Sequence, residues 1–268
     1  MHSRRQRAVA AAGWAVLAVM LPAAHATAGQ LTARQVTERL FKATVSDPAN
    51  LAAQDLRGLD LSGLVFKRAS LEGSDLTGVD LTGSDLSGTN LERASLDRAT
   101  VSRSDFSGAT LEGARLRMMA VSNGLDPVAA DAPRFANANL RGAEIEARLD
   151  FADFHGADLS HAKIGRQLAL WGSYKPRSVM IGCDFSRARL VKASFEKSVL
   201  RFAKFAGADL TGADLSESDL SGADLTGADL TGARLDGADL DRAILTAVKG
   251  LDRAEGLATA LNLDRAVR

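Results

Sequence analysis

From residue 185 to residue 245 every fifth residue is leucine or phenylalanine, thirteen positions out of thirteen. Neither regular element can use such a period. Five residues advance an α-helix by about 500°, so the apolar positions would smear around its axis. On a strand an odd period throws successive leucines onto opposite faces. A chain that turns a corner every five residues escapes both problems, because each corner resets the phase and every leucine can point inward. Four such sides close a coil, and coils stacked at the inter-strand spacing of ~4.8 Å make a solenoid. One repeat cannot bury a face alone, so stacking supplies the core.

The repeated phrase is Ala-Asp-Leu-Xaa-Gly, as at Ala208-Asp209-Leu210-Thr211-Gly212. It resembles the pentapeptide-repeat family over roughly residues 51–250. The resemblance implies an all-β chain folded as a right-handed quadrilateral β-helix; the squareness and the hand come from the resemblance, not from the period. Each position has a physical reading. The central Leu or Phe fills the core and contributes about 1.5–3 kcal/mol on burial. The residue two before it, usually Ala, faces in where there is little room. The residue just before it, often Asp, faces solvent, and the Ser/Thr-Gly pair that closes the phrase suits a turn.

Around this array the chain divides into four parts. Residues 1–28 read as an export signal, with Arg4, Arg5 and Arg7, an apolar run over 8–21, Pro22, and two small-x-small cleavage sites ending at Ala26 and Ala28. Ser3-Arg4-Arg5 fits a twin-arginine signal or the general route, and cleavage leaves Thr27 or Gly29 first. Residues 29–50 carry a helical N-terminal cap over 31–45, where Thr32 and Gln35 form a capping-box pair and Leu31 and Val36 have staple spacing. Residues 51–250 form the repeat body, interrupted near 122–134 and 165–182. The second interruption reads as a distorted coil or a loop replacing one. Residues 251–268 read as an α-helical C-terminal cap with Leu257 and Leu261 packed inward.

Composition limits the chemistry. The chain has 33 basic and 33 acidic residues, and losing 1–28 removes three arginines and no acid, leaving the remainder at −3. After that loss no stretch is long and apolar enough to cross a membrane. The one cysteine, Cys183, takes a slot usually held by Ala and reads as a small buried residue. Residues twenty apart stack, which pairs Asp209 with Asp229 and sets Asp214 beside Arg234, an arrangement of structural tuning. His155 and His161 lie on neighbouring sides rather than in one column. No catalytic, metal or cofactor set is expected.

The remaining candidate is the second interruption, which holds Trp171, Tyr174, Lys175 and Arg177. Aromatic and cationic side chains concentrate binding energy, so these four are partner-binding candidates; the competing reading is that Trp171 and Tyr174 plug a distorted coil. The expectation is a non-enzymatic binding or scaffold protein, periplasmic or secreted, with a protein partner, no nucleic acid and no membrane insertion of the mature chain. A homodimer through the C-terminal cap is compatible with it. The resemblance implies one alternative, since some cytoplasmic members imitate a DNA duplex and bind DNA gyrase; those rods are strongly acidic dimers. A second alternative is a carbohydrate-active β-helix enzyme.

Overall fold

The structure is a computed structural model that describes residues 30–121, 127–165 and 178–268. Over these the chain winds as coils paired in parallel, and the usual partner lies twenty residues on: Asn50 with Ser70, Asp55 with Asp75, Asp60 with Asp80, Val65 with Asp85. Those four pairs begin the four sides, named here first to fourth. The first side runs through ten rungs, from Asn50 to Lys249.

The quintet 223–227 shows why this phrase folds this way. Every backbone N–H in it has an acceptor. Asp224 donates to Ala203 O of the previous coil at 2.9 Å, Leu225 to Ile244 O of the next at 2.9 Å, and Gly227 to Thr246 O at 2.9 Å. Ala223 closes the preceding turn on Leu220 O at 2.9 Å. That leaves Thr226, whose N–H is taken by Asp224 Oδ1 at 2.9 Å. The Asp of the phrase is thus more than a solvated residue: it accepts from the one donor that neither the ladder nor the turn can satisfy. Asn90 does the same for Glu92 at 3.0 Å.

Most corners are turns closed by an N–H to the carbonyl three residues back, with positive φ at the third residue, as in a type II turn. Glycine suits that residue, yet Arg93, Lys192, Phe202 and Glu217 also occupy it. Long corner side chains lean over the next coil, and several lie over a glycine there, as Arg93 does over Gly113 and Lys192 over Gly212.

Inside, the central residues and the small residues two before them form one buried cluster. The fourth side collects the aromatics. Phe106, Phe135, Phe154, Phe185 and Phe205 stack with centroids 4.9–5.1 Å apart and planes 4–8° from parallel. The ring spacing is the rung spacing, imposed by the backbone.

The Phe ladder also carries register across both interruptions. Asp105 pairs with Arg134, twenty-nine residues on, and Arg148 with Val179, thirty-one on. The first interruption therefore adds nine residues at the corner between the third and fourth sides, and the second adds eleven between the second and third. Of the two expectations for it, a distorted coil or a loop replacing one, the replacement does not hold, because the repeat resumes at Ser178-Val179-Met180-Ile181-Gly182 with Met180 fully buried. A one-residue deletion shortens the span between them, where Arg134 pairs with Asp153.

The helix α1, Ala33–Lys42, has the expected capping box: Gln35 N donates to Thr32 Oγ1 at 3.3 Å and Thr32 N to Gln35 Oε1 at 2.9 Å. It stops before the expected Val45. Val36 and Leu40 join the core cluster, and Lys67 Nζ donates to Leu40 O and Ala43 O at 3.0 Å each, satisfying carbonyls at the helix end.

The tail departs from expectation. Residues 251–268 form no α-helix but a further coil with six-residue sides, built on three 3-10 turns at Leu251–Arg253, Leu257–Thr259 and Leu263–Arg265. Gly250, Gly256 and Asn262 precede them in left-handed conformation. Rung separations widen accordingly, from Asp229 with Lys249 to Arg234 with Glu255, Asp239 with Leu261 and Ile244 with Val267. The inward residues are Leu251, Leu257 and Leu263, whereas Leu261 lies on an outward rung and is 52% exposed. The helical spacing of Leu257 and Leu261 misled, because the operative period was six.

Candidate interaction surface

Irregularity concentrates on the middle of the third side. On either side of that stretch the outward rungs are polar, Asp60, Asp80 and Thr100 before and Asp219 and Asp239 after, until Leu261 in the last coil. Between them stand Ala120, Arg148, Val179 and Val199. Both insertions border this stretch, one entering it after Gly165 and one leaving it after Val121.

An apolar rung removes the acceptor that its own quintet needs. At Val179 the gap is filled from the coil before, where Asp150 Oδ1 accepts from Ile181 N at 2.9 Å. Its other oxygen takes Arg148 Nε at 2.6 Å, and the Asp150 side chain is 1% exposed. The same device recurs on the second side, where Arg115 occupies the rung and Asp97 Oδ1 accepts from Arg117 N at 3.2 Å. There the chain extends into short parallel strands, β1 Arg115–Arg117, β2 Glu144–Glu146 and β3 Lys163–Ile164, laced by Arg117 with Glu144 at 3.1 Å and Lys163 with Glu144 at 3.4 Å. Burial pushes the Glu146 carboxyl up, against the pull of Arg117.

The base of the second insertion is tied. Gly165 N donates to Ile145 O at 3.3 Å and to Ser178 Oγ at 3.1 Å, and Ser178 Oγ donates to Ile145 O at 3.0 Å. Gly165 has φ of 111°, and a Cβ there would come within 2.6 Å of Glu196 O, so no other residue fits. Trp171, Tyr174, Lys175 and Arg177 lie outside the described residues. The structure fixes only where their segment leaves and rejoins the rod.

Two residues that the sequence reading passed over stand on the corner closing the third side. Phe151 and Phe202 hold φ of 61° and 56°. A bulky side chain in this region costs about 1–2 kcal/mol, and both rings are solvent-facing, at 39% and 65% exposure. Below each lies a glycine of the next coil: a Cβ at Gly182 would meet Phe151 ring carbons at 2.9 Å, and one at Gly222 would meet Phe202 ring carbons at 2.7 Å. The signal was available, since both fill the slot where the phrase carries Gly.

Cys183 fills its expected slot. It is fully buried, its Sγ donates to Leu149 O at 2.9 Å, and burial pushes its thiol well above the usual range, so it carries no thiolate chemistry. Among the described residues no group of three or more His, Cys, Asp or Glu is placed to hold a metal, and no helix is long and apolar enough to cross a membrane.

The quintet ladder defines a pentapeptide solenoid, and the sequence matches the family model for pentapeptide repeats over residues 49–83, 84–117, 178–216 and 208–246. The chain belongs to that family, whose fold is a right-handed quadrilateral β-helix. No curated protein matches it. Among solved structures it is similar to HetL, a pentapeptide repeat protein involved in heterocyst differentiation regulation from the cyanobacterium Nostoc sp., at 27% identity over 80% of this chain and 86% of that one, with a TM-score of 0.42. It is also similar to trypsin-treated QnrB1, a plasmid-mediated fluoroquinolone resistance protein, at 20% identity over 77% and 95%, with a TM-score of 0.38. The family assignment rests on the repeat match, not on these superpositions.

Proposed function

We propose that this chain is a non-enzymatic binding or scaffold protein that works in the periplasm after losing its first 26 or 28 residues. The observation that carries the reading is the convergence of both insertions on one stretch of an otherwise regular rod. The four partner-binding candidates belong to a segment that rejoins the rod there, and loops on a rigid scaffold are where binding residues concentrate. In this reading α1 closes the first coil. The last coil, with Leu261 and Val267 exposed at 52% and 53%, meets a second copy of the chain.

Crosslinking in fractionated cells tests the proposal. The protein recovered from the periplasm should begin at Thr27 or Gly29 and carry a crosslinked protein partner. Capture should fall in a Trp171→Ala, Tyr174→Ala variant while the melting temperature barely moves. A retained Met1 would overturn the location. A large loss of stability, at about 3–5 kcal/mol per buried aromatic, would overturn the recognition role.

A further inference from the structure

Phe151, Gly182, Phe202, Gly222 and Arg242 form one corner column, read from the rungs Arg148, Val179, Val199, Asp219 and Asp239 beside it. Folding does not require phenylalanine here. Arg187, Lys192, Glu217 and Arg242 hold equivalent corners with charged side chains that water solvates. What sets Phe151 and Phe202 apart from those corners is an apolar ring turned to solvent where the others carry charge. Each ring lies over the glycine of the next coil, where a side chain would displace it.

We propose that this column binds a linear β-1,4-linked glycan strand lying along the rod. The two rings stand two coils apart, at about 10 Å for two rungs. In an extended β-1,4-linked chain each sugar is turned over relative to the last, so like faces recur once per disaccharide, at close to that distance. Apolar C–H faces of pyranose rings stack on aromatic rings, and the equatorial hydroxyls then reach sideways. Beside the column on the fourth side run the rungs Asp153, Asp184, Lys204 and Asp224, and on the third side Arg201 adjoins Phe202. Carboxylates and a guanidinium at this height are acceptors and donors for sugar hydroxyls. A protein strand would match the aromatic spacing less well, since its like-facing side chains recur every two residues, about 7 Å apart. The inference deepens the binding reading but uses no residue of 166–177.

Calorimetric titration of the purified full chain with cellohexaose and chitohexaose tests it, with maltohexaose as the α-linked control. One β-1,4 hexasaccharide should bind and maltohexaose should not. Phe151→Arg with Phe202→Arg puts at both corners a residue the rod already carries there, and should weaken binding about tenfold or more without moving the melting temperature. If the pair melts early, Phe202→Arg alone should still weaken binding. Absence of binding to both β-linked probes, equal binding of maltohexaose, or unchanged affinity in the variants overturns the proposal. The Trp171→Ala, Tyr174→Ala variant should bind the hexasaccharide normally, so failure of the loop reading and failure of this one are told apart.

Discussion

The quintet 223–227 and the stretch around Asp150 meet the same demand in different ways. In the first, Asp224 serves its own quintet from a half-exposed rung. In the second, the rung is Val179, and a buried carboxylate one coil earlier reaches across to Ile181 N. The first arrangement is local and repeats without limit. The second frees a rung to be apolar but ties two coils to one side chain. Mid-rod irregularity is therefore a substitution of acceptors that keeps the ladder whole while changing what the surface shows.

The largest effect should come from the core, where the two regions are alike. Leu225→Asp in the regular block should cost several kcal/mol, because it buries an unpaired charge. Phe154→Ala, in the ladder between the insertions, should cost about 3–5 kcal/mol. Urea unfolding measures both, and a loss under about 1 kcal/mol at Phe154 would show that the middle is loosely packed.

A smaller effect separates the regions. Asp150→Ala removes a buried carboxylate that serves both the half-buried Ile181 N–H and Arg148, so it should cost about 1–3 kcal/mol. Asp224→Ala removes a half-exposed carboxylate that serves only the Thr226 N–H and should cost about 0.5–1.5 kcal/mol, whereas Asp224→Asn keeps the acceptor and should stay within about 0.5 kcal/mol. Equal losses in the two alanine variants would remove the distinction drawn between them.

The smallest effect is in pH. Hydrogen bonds from Thr231 hold the Asp229 carboxyl below its usual value. At Asp105 burial pushes up, but bonds from Ser107 and the Arg134 guanidinium outweigh it and the net shift is down. A carboxyl depressed in the folded state stabilises above its unfolded value of about 3.9 and loses that contribution as pH falls through the folded value. The melting temperature should thus be flat from neutral pH to about 5 and decline below about 4. A decline beginning near pH 6 would point to another group.

The coil was legible because one number, five, recurs through Leu210, Leu215 and Leu220 and cannot serve a helix or a flat strand. The inward Ala, the stacking of Asp209 on Asp229 and the Thr32 cap followed from the same local rules. The acceptor role of Asp was not legible, because it appears only when all five donors of a quintet are counted against the coils above and below. The tail was misread because two leucines at helical spacing outweighed the fainter recurrence of Gly250, Gly256 and Asn262. Phe151 and Phe202 were overlooked because hydrophobic residues near a core pattern are easily assigned to it, and their outward corner slot is defined only by phase.

The hydrogen-bonded base at Gly165, Ser178 and Ile145 makes that corner a socket. The ladder on either side already holds its register without help from the chain between, and doubling the length of such a segment adds only about 0.6 kcal/mol of closure entropy. Cargo of very different size can be seated there at nearly the same energetic cost. The other insertion corner, after Val121, lies two coils earlier on the same side, so the coil count between them becomes a ruler that sets how far apart two grafted modules stand.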